Sequence, residues 1–146
     1  MRNVFSELAV LLSYPANLIL LALRLLLAYG FATPALLKIN YLKDTIAWFE
    51  TLSIPLPALT TYLVSGIETI GIVLLVLGLF TRYISVLLAC VMIGAIFFVH
   101  AGNGFSVANN GIEIPLYYLL FFMILMSVGA GKYSLDNVLF KDKKDE

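Results

Sequence analysis

Charged residues, cysteine and histidine are scarce in this 146-residue chain, which has 12% charged residues, one cysteine and one histidine. The single cysteine, Cys90, excludes an intrachain disulfide and a CxxC dithiol, and therefore paired-thiol redox chemistry within the chain. One histidine and scattered methionines provide no metal-ligand spacing, so no metal site is predicted. The formal net charge of +0 leaves no basic surface, which argues against binding to nucleic acid.

Long apolar runs are abundant instead. Hydrophobic residues make up 62% of the chain, whereas a soluble domain is roughly half apolar and a quarter charged. Four runs occupy residues 17–38, 58–79, 83–100 and 113–129. Each is close to the roughly 20 residues that a helix needs to cross a hydrocarbon core about 30 Å thick, and none alternates as barrel strands do. The sequence predicts an all-α membrane protein: a single domain over residues 1–146 with a four-transmembrane-helix antiparallel bundle.

The segments outside these runs set the predicted orientation. Residues 1–16 are expected to form an interfacial helix, with one side made of Val4, Phe5, Leu8, Ala9 and Leu12. Residues 140–146 are expected to be a disordered tail. Most of the basic residues lie on the membrane side of the two termini: Arg2, Arg82, Lys132, Lys141, Lys143 and Lys144. The other side has Lys38 and Lys43, so the positive-inside rule places both termini in the cytoplasm.

Two ionisable residues lie at membrane depth, Arg24 in the first run and Glu68 in the second. Such a group costs about 2.5 to 3.5 kcal/mol at the bilayer centre and usually faces the bundle interior. Because the two residues can reach a common depth, we expect an Arg24–Glu68 pair across the bundle. The pair has two interpretations, a structural contact that fixes helix register and a functional site, and the two are compatible.

A polar segment separates the third and fourth runs, and it carries the histidine of the chain, His100. In the predicted topology Lys38 ends the first helix outside, His100 ends the third and Glu113 begins the fourth, so the three meet at an outer mouth. Asn103-Gly104 and Asn110-Gly111 predict tight turns that fold the loop over this mouth. The candidate site residues are Arg24, Lys38, Glu68, His100, Asn103, Asn110, Glu113 and Tyr117. The alternatives are a well-hydrated connecting loop and, for Tyr117, an interfacial anchor.

The order of several short motifs resembles the DoxX family over about residues 17–139. These are Arg24 within the membrane, Lys38, Glu68, LGLFTR at 77–82, His100 and GAGKYSLD at 129–136. The chain departs from the family pattern in two places. Pro34 and Ala35 replace a glycine that usually precedes the lysine, and Ala130 stands where a proline is common.

The resemblance implies a multi-pass protein of the bacterial inner membrane whose relatives serve redox-linked systems. Some relatives act as quinone-facing subunits, and others accompany the maturation of periplasmic or metal-binding proteins. The segments YGFATPALLKIN, FETLSIPLP and HAGNGFSVANNGIEIPLYY most resemble the HvfX-like branch, which is linked to the maturation of copper-binding peptides. Any connection to copper would then act through partners.

Three function classes remain open. The first is an accessory membrane subunit that contacts a protein partner, periplasmic or peptide-maturing, or a small ligand at the outer mouth. The second is a quinone-linked oxidoreductase subunit in which Arg24, Glu68 and His100 bind the quinone and move its protons. A transporter ranks last, because no inverted repeat is evident. Lipid contact is expected in every case, quinone is the one cofactor considered, and the chain could form a homo-oligomer.

Overall fold

The structure, a computed structural model, describes residues 2–13 and 15–140, and these are largely helical. Its α-helices are α1 Arg2–Ser13, α2 Ala16–Asn40, α3 Leu42–Thr51, α4 Pro57–Leu77, α5 Thr81–Ala95, α6 Glu113–Val128 and α7 Leu135–Leu139. A π-helical turn, Ile96–His100, continues α5, and short 3-10 turns follow at Ala101–Asn103 and Val107–Asn109. The all-helical prediction is confirmed for the described residues.

Three helical segments are long and apolar enough to cross a membrane: Ala16–Asn40, Pro57–Leu77 and Thr81–Asn103. They correspond to the first three predicted spans. The fourth predicted run forms α6, an apolar helix of 16 residues. At about 1.5 Å per residue it is roughly 24 Å long, which is less than the roughly 30 Å of a hydrocarbon core.

The structure describes part of the segments that flank the predicted spans. Residues 2–13 form α1, and its Val4, Phe5 and Leu8 are exposed, while the side chains of Ala9 and Leu12 lie outside the described part. Residues 141–146 of the expected tail also lie outside it. The first loop contains a helix, α3, with Phe49 buried beneath it and Trp48 partly exposed.

The helices pack as a bundle in which α4 contacts α2, α3 and α5, and α6 lies mainly against α5. Steps of three and four residues place one set of mostly polar and small residues on a single face of the second helix, and this stripe is buried. Its members are Thr61, Ser65, Glu68, Gly71, Leu75 and Gly78. The apolar centre consists of side chains with no solvent exposure, namely Leu27, Leu75, Leu88, Phe122 and Leu125. Large apolar side chains on the outside then face the bilayer.

The turn between α4 and α5 is short, so these helices are antiparallel neighbours, as the sequence predicts. Gly78 ends α4 with a φ of 66°. The Asp136 carboxylate reaches this turn from the end of the chain and accepts hydrogen bonds from the backbone N–H groups of Phe80 at 2.7 Å and Thr81 at 2.9 Å. The carboxylate therefore caps the N-terminus of α5, where backbone donors have no helical partner.

Arg24 holds the same region together from inside the bundle. Its guanidinium is fully buried and donates to the carbonyl oxygen of Leu75 at 3.1 Å and to that of Tyr133. The Asp136 N–H also donates to the Gly78 oxygen at 2.9 Å. The segment 129–136, singled out by its sequence motif, thus folds back under the α4–α5 turn and is fixed there by a buried arginine.

We expect Gly78→Ala to lower the melting temperature of the detergent-solubilised protein. Alanine at positive φ costs about 1–2 kcal/mol, and the added methyl group would lie 2.1 Å from Arg24 Nη1. The matched control is Gly66→Ala in the same helix, where an added methyl group has no heavy atom within 4 Å. That change should be neutral or stabilising, because alanine favours helices by about 1 kcal/mol over glycine. Equal melting temperatures for the two variants would contradict the close approach of Arg24.

Candidate ligand site at the loop end of the bundle

Glu68 forms a salt bridge with Lys38. Lys38 Nζ lies 3.0 Å from Glu68 Oε1 and 2.8 Å from Oε2, with side-chain exposures of 17% for Lys38 and 3% for Glu68. The expected Arg24–Glu68 pair is wrong. Arg24 is level with Leu75, about 10 Å along α4 from Glu68, so its hydrogen bonds lie at the other end of the bundle.

His100 sits at the end of the π-helical turn that follows α5. Its Nδ1 lies 2.7 Å from the carbonyl oxygen of Asn110, and Asn103 Nδ2 donates to the same oxygen at 3.2 Å. Because a carbonyl only accepts, Nδ1 carries the proton, which leaves Nε2 of the neutral ring as an acceptor. A π-helical turn inside an α-helix is frequent at functional sites.

The loop after His100 folds back on itself, as its turn signals predict. The N–H groups of Gly111 and Ile112 donate to the oxygens of Ser106 at 2.9 Å and Gly104 at 3.0 Å. Gly104 and Asn110 have positive φ, 77° and 58°. A methyl group on Gly111 would lie 2.5 Å from the Gly104 oxygen, so the close approach of the two loop arms requires a glycine there.

Glu113 and Tyr117 stabilise this loop and do not line the cavities beneath it. Glu113 Oε2 accepts from the Val107 N–H at 2.9 Å, and Oε1 accepts from the Tyr117 hydroxyl at 3.1 Å. The sequence predicts Glu113 at the mouth together with Lys38 and His100, and it offers Tyr117 as a further site candidate. The loop hydrogen bonds instead turn the Glu113 carboxylate toward the 3-10 turn at Val107–Asn109.

Two cavities meet at this end of the bundle. The cavity of about 420 Å³, here the lateral cavity, lies between α3, α4 and α5 and has a mainly apolar lining. The cavity of about 320 Å³, here the loop cavity, lies under residues 107–111. Both are lined by Glu68, Met92, Ala95 and His100, which form the wall between them. Apolar side chains of the lateral cavity include Trp48, Phe49, Leu63, Ile67, Leu87 and Phe98.

The structure therefore brings Lys38, Glu68 and His100 together, and Asn103 and Asn110 act through the position of the His100 ring. Arg24, Glu113 and Tyr117 lie elsewhere. A pocket with a cation, a carboxylate and an imidazole at one end of an apolar wall can bind an apolar molecule that carries polar oxygen atoms.

Sequence reasoning missed two parts of the site. Tyr118 lines the loop cavity, and its hydroxyl lies 2.1 Å from where a methyl group on Gly30 would be. A glycine inside an apolar helix can signal such a close approach. Trp48 and Phe49 of α3 line the lateral cavity, although aromatic residues in a loop of this kind indicate an interfacial belt equally well.

The fold and the site define a small helical membrane protein with a mainly apolar pocket that ends on polar side chains. The DoxX family profile matches residues 19–101, more than half of the chain, including Arg24, Lys38, Glu68 and His100. The chain belongs to the DoxX family. No solved structure matches it.

Three curated relatives are similar to the chain. An uncharacterized protein of Haemophilus influenzae is 33% identical over 130 residues, 84% of this chain and 83% of the relative. A second protein of that organism, also uncharacterized, is 48% identical over 84 residues, 54% of this chain and 62% of the relative. A Bacillus subtilis protein named "Putative oxidoreductase CatD" is 35% identical over 125 residues, 86% of this chain and 90% of the relative. These matches identify the family and not the HvfX-like branch.

We expect strong coupling between Lys38 and Glu68 in a double-mutant cycle of Lys38→Met and Glu68→Gln. Removing one partner of a buried pair costs about 3–5 kcal/mol, and the partial exposure of Lys38 favours the lower value. The double variant should therefore lose less stability than the sum of the single variants, measured by denaturant titration in micelles.

The matched control for this cycle pairs Arg24→Met with Glu68→Gln. Arg24 bonds to Leu75 and Tyr133, and Glu68 to Lys38, so the two effects should add. Additive effects in the Lys38–Glu68 cycle, or strong coupling in the Arg24–Glu68 cycle, would refute this assignment of partners.

Proposed function

We propose that this DoxX family protein is a membrane subunit of a redox-linked system and that it binds a quinone in the lateral cavity. The observation that carries the proposal is an apolar cavity of about 420 Å³ that ends on Lys38, Glu68 and His100. The similarity to a relative named as an oxidoreductase supports a redox-linked role.

The lining matches the chemistry of a quinone. A flat ring with an apolar tail fits between aromatic and aliphatic walls such as Trp48 and Phe98. The ring oxygens need donors, which Lys38 Nζ supplies, and the hydroquinone hydroxyls need acceptors, which Glu68 and the free Nε2 of His100 supply. The Arg24 guanidinium, which bonds to Leu75 and Tyr133, has no part in this site.

The chemistry divides between this chain and a partner. Reduction of a quinone to a hydroquinone takes two electrons and two protons. A redox protein partner supplies the electrons, while Glu68 and His100 hold and transfer the protons at the ring oxygens. The same groups act in reverse when the partner removes electrons from a hydroquinone.

The proposal includes four membrane spans with both termini in the cytoplasm of a bacterium and the loop end at the outer face of the inner membrane. Arg82 and Lys132 lie at the end of the bundle near the termini, and Lys43 lies at the other end, in α3. This distribution supports the positive-inside orientation. Helix α6 is apolar and packs along α5, so a modest thinning of the bilayer would let its 16 residues span.

A second candidate function is an accessory subunit that contacts a periplasmic or peptide-maturing protein through the outer loop. The exposed apolar side chains of Phe105 and Val107, 55% and 53% accessible, favour it because this loop lies beyond the apolar part of α5. Partners in the maturation of copper-binding peptides belong to this candidate. It is compatible with quinone binding, since the loop surface and the lateral cavity are separate.

Occupancy of the lateral cavity can be tested with Cys90, the one cysteine of the chain, which lines that cavity. We expect decylubiquinone to slow the reaction of Cys90 with N-ethylmaleimide by at least about fivefold in detergent, since a bound ring shields the thiol. The control is Ile93→Cys in a Cys90→Ala background, because Ile93 is 43% exposed and lies outside the lining. Unchanged labelling of Cys90, or equal slowing at position 93, would refute binding in this cavity.

His100→Ala should leave the protein inserted and folded but weaken quinone binding by about tenfold, because it removes one hydrogen bond of about 1.4 kcal/mol from the site. His100 is half-buried and bonds to a loop carbonyl, so little stability depends on it. Binding is measured by the Cys90 protection assay and folding by the melting temperature. Loss of expression or folding would support a purely structural histidine.

A further inference from the structure

We propose that the opposite end of the bundle binds the phosphate headgroup of an anionic phospholipid between Arg82 and Lys132. A cavity of about 620 Å³ lies there, formed where the segment after α6 folds back toward the start of α5. Its lining combines basic, polar and aromatic side chains, among them Asn17, Phe80, Arg82, Tyr83, Lys132 and Phe140. This site is independent of the quinone proposal.

The acidic residue of the cavity is already engaged. Both carboxylate oxygens of Asp136 accept hydrogen bonds from the N-terminus of α5, at 2.7 and 2.9 Å, so its charge is compensated by that helix end. In the part of the chain that the structure describes, no carboxylate pairs with Arg82 or Lys132. The cavity therefore presents two positive groups beside an acid whose two oxygens are already hydrogen-bonded to the start of α5, which favours an anion.

The backbone fixes both basic residues at the rim. Arg82 Nη2 donates to the Val128 carbonyl at 3.3 Å, and its Nε would lie 3.1 Å from a methyl group on Gly129. The Lys132 N–H donates to Asn17 Oδ1 at 2.9 Å, which ties that residue to the start of α2. Among the described residues, several guanidinium N–H groups and the Lys132 ammonium have no partner, so they can donate to phosphate oxygens, which bind such groups strongly.

Three aromatic rings make the site fit a lipid better than a free phosphate. Phe80 lies 6.4 Å from Tyr83 and 5.6 Å from Phe140 between ring centroids. All three rings are exposed, at 45%, 75% and 57% for Phe80, Tyr83 and Phe140. Aromatic side chains at this depth contact the glycerol and upper acyl region of a lipid, while the basic residues beside them contact its headgroup.

The experiment is native mass spectrometry of the full chain in detergent with added phosphatidylglycerol or phosphatidylcholine. We expect retention of phosphatidylglycerol in preference to phosphatidylcholine. Each of Arg82→Gln and Lys132→Gln should weaken it by about fivefold, since a basic side chain near the surface contributes about that factor. The matched control is Lys43→Gln, an exposed lysine on α3 at the other end of the bundle, which should retain the lipid as the wild type does.

Three outcomes would overturn the proposal. Equal retention of the two lipids, or equal loss in Lys43→Gln and Lys132→Gln, would show that no headgroup site exists here. Displacement of phosphatidylglycerol by excess inorganic phosphate would show that the site recognises free phosphate. If Arg82→Gln fails to fold, because its guanidinium also bonds to Val128, the Lys132→Gln result decides the question, since the structure gives the Lys132 ammonium no bond within the described residues.

Discussion

Each ionisable side chain that this bundle removes from water must find a partner inside the protein, because lipid offers none. The loop end depends on one such contact, the salt bridge between Lys38 and Glu68, whose carboxylate is only 3% exposed. The bridge joins α2 to α4 beside the wall that separates the two cavities. In the proposed function, the same carboxylate therefore serves both stability and ligand binding, which gives a reason for keeping a costly charge at this depth.

Arg24 meets the same constraint at the other end by different means. It has no acidic partner within hydrogen-bonding distance among the described residues, and it donates to the carbonyl oxygens of Leu75 and Tyr133. The carbonyl groups in the last turn of a helix lack helical donors and carry partial negative charge, so the C-terminal end of α4 suits a guanidinium. One arginine thereby fastens α2, α4 and the returning segment, which gives Arg24 a structural role remote from the loop end.

The spacing of polar and small residues was enough to predict the helices and the buried stripe of α4, because side-chain direction within one helix follows from its period. The partner of Glu68 was not predictable in this way. That partner depends on the axial offset between α2 and α4, and the residue pattern of a single helix contains no information about this offset. The predicted ends of these helices, Lys38 and Leu79, also differ from the structure, in which α2 continues to Asn40 and α4 stops at Leu77. The cap on α5 was also not predictable, because Asp136 lies 55 positions along the chain from Thr81, whose N–H donates to it.

The two ends of the bundle differ in how many polar groups the fold itself uses, and this difference favours the loop end for the proposed ligand chemistry. At the α4–α5 turn, both oxygens of Asp136 and two donors of Arg24 are bonded to the backbone. At the loop end, His100 keeps a free Nε2, and Glu68 faces both cavities. In the proposed function, a quinone in the lateral cavity would exchange protons with the loop cavity across the wall that contains Glu68 and His100. Because residues 107–111 cover the loop cavity, this route would lead the protons toward the loop end of the bundle, which is the outer face in the proposed orientation.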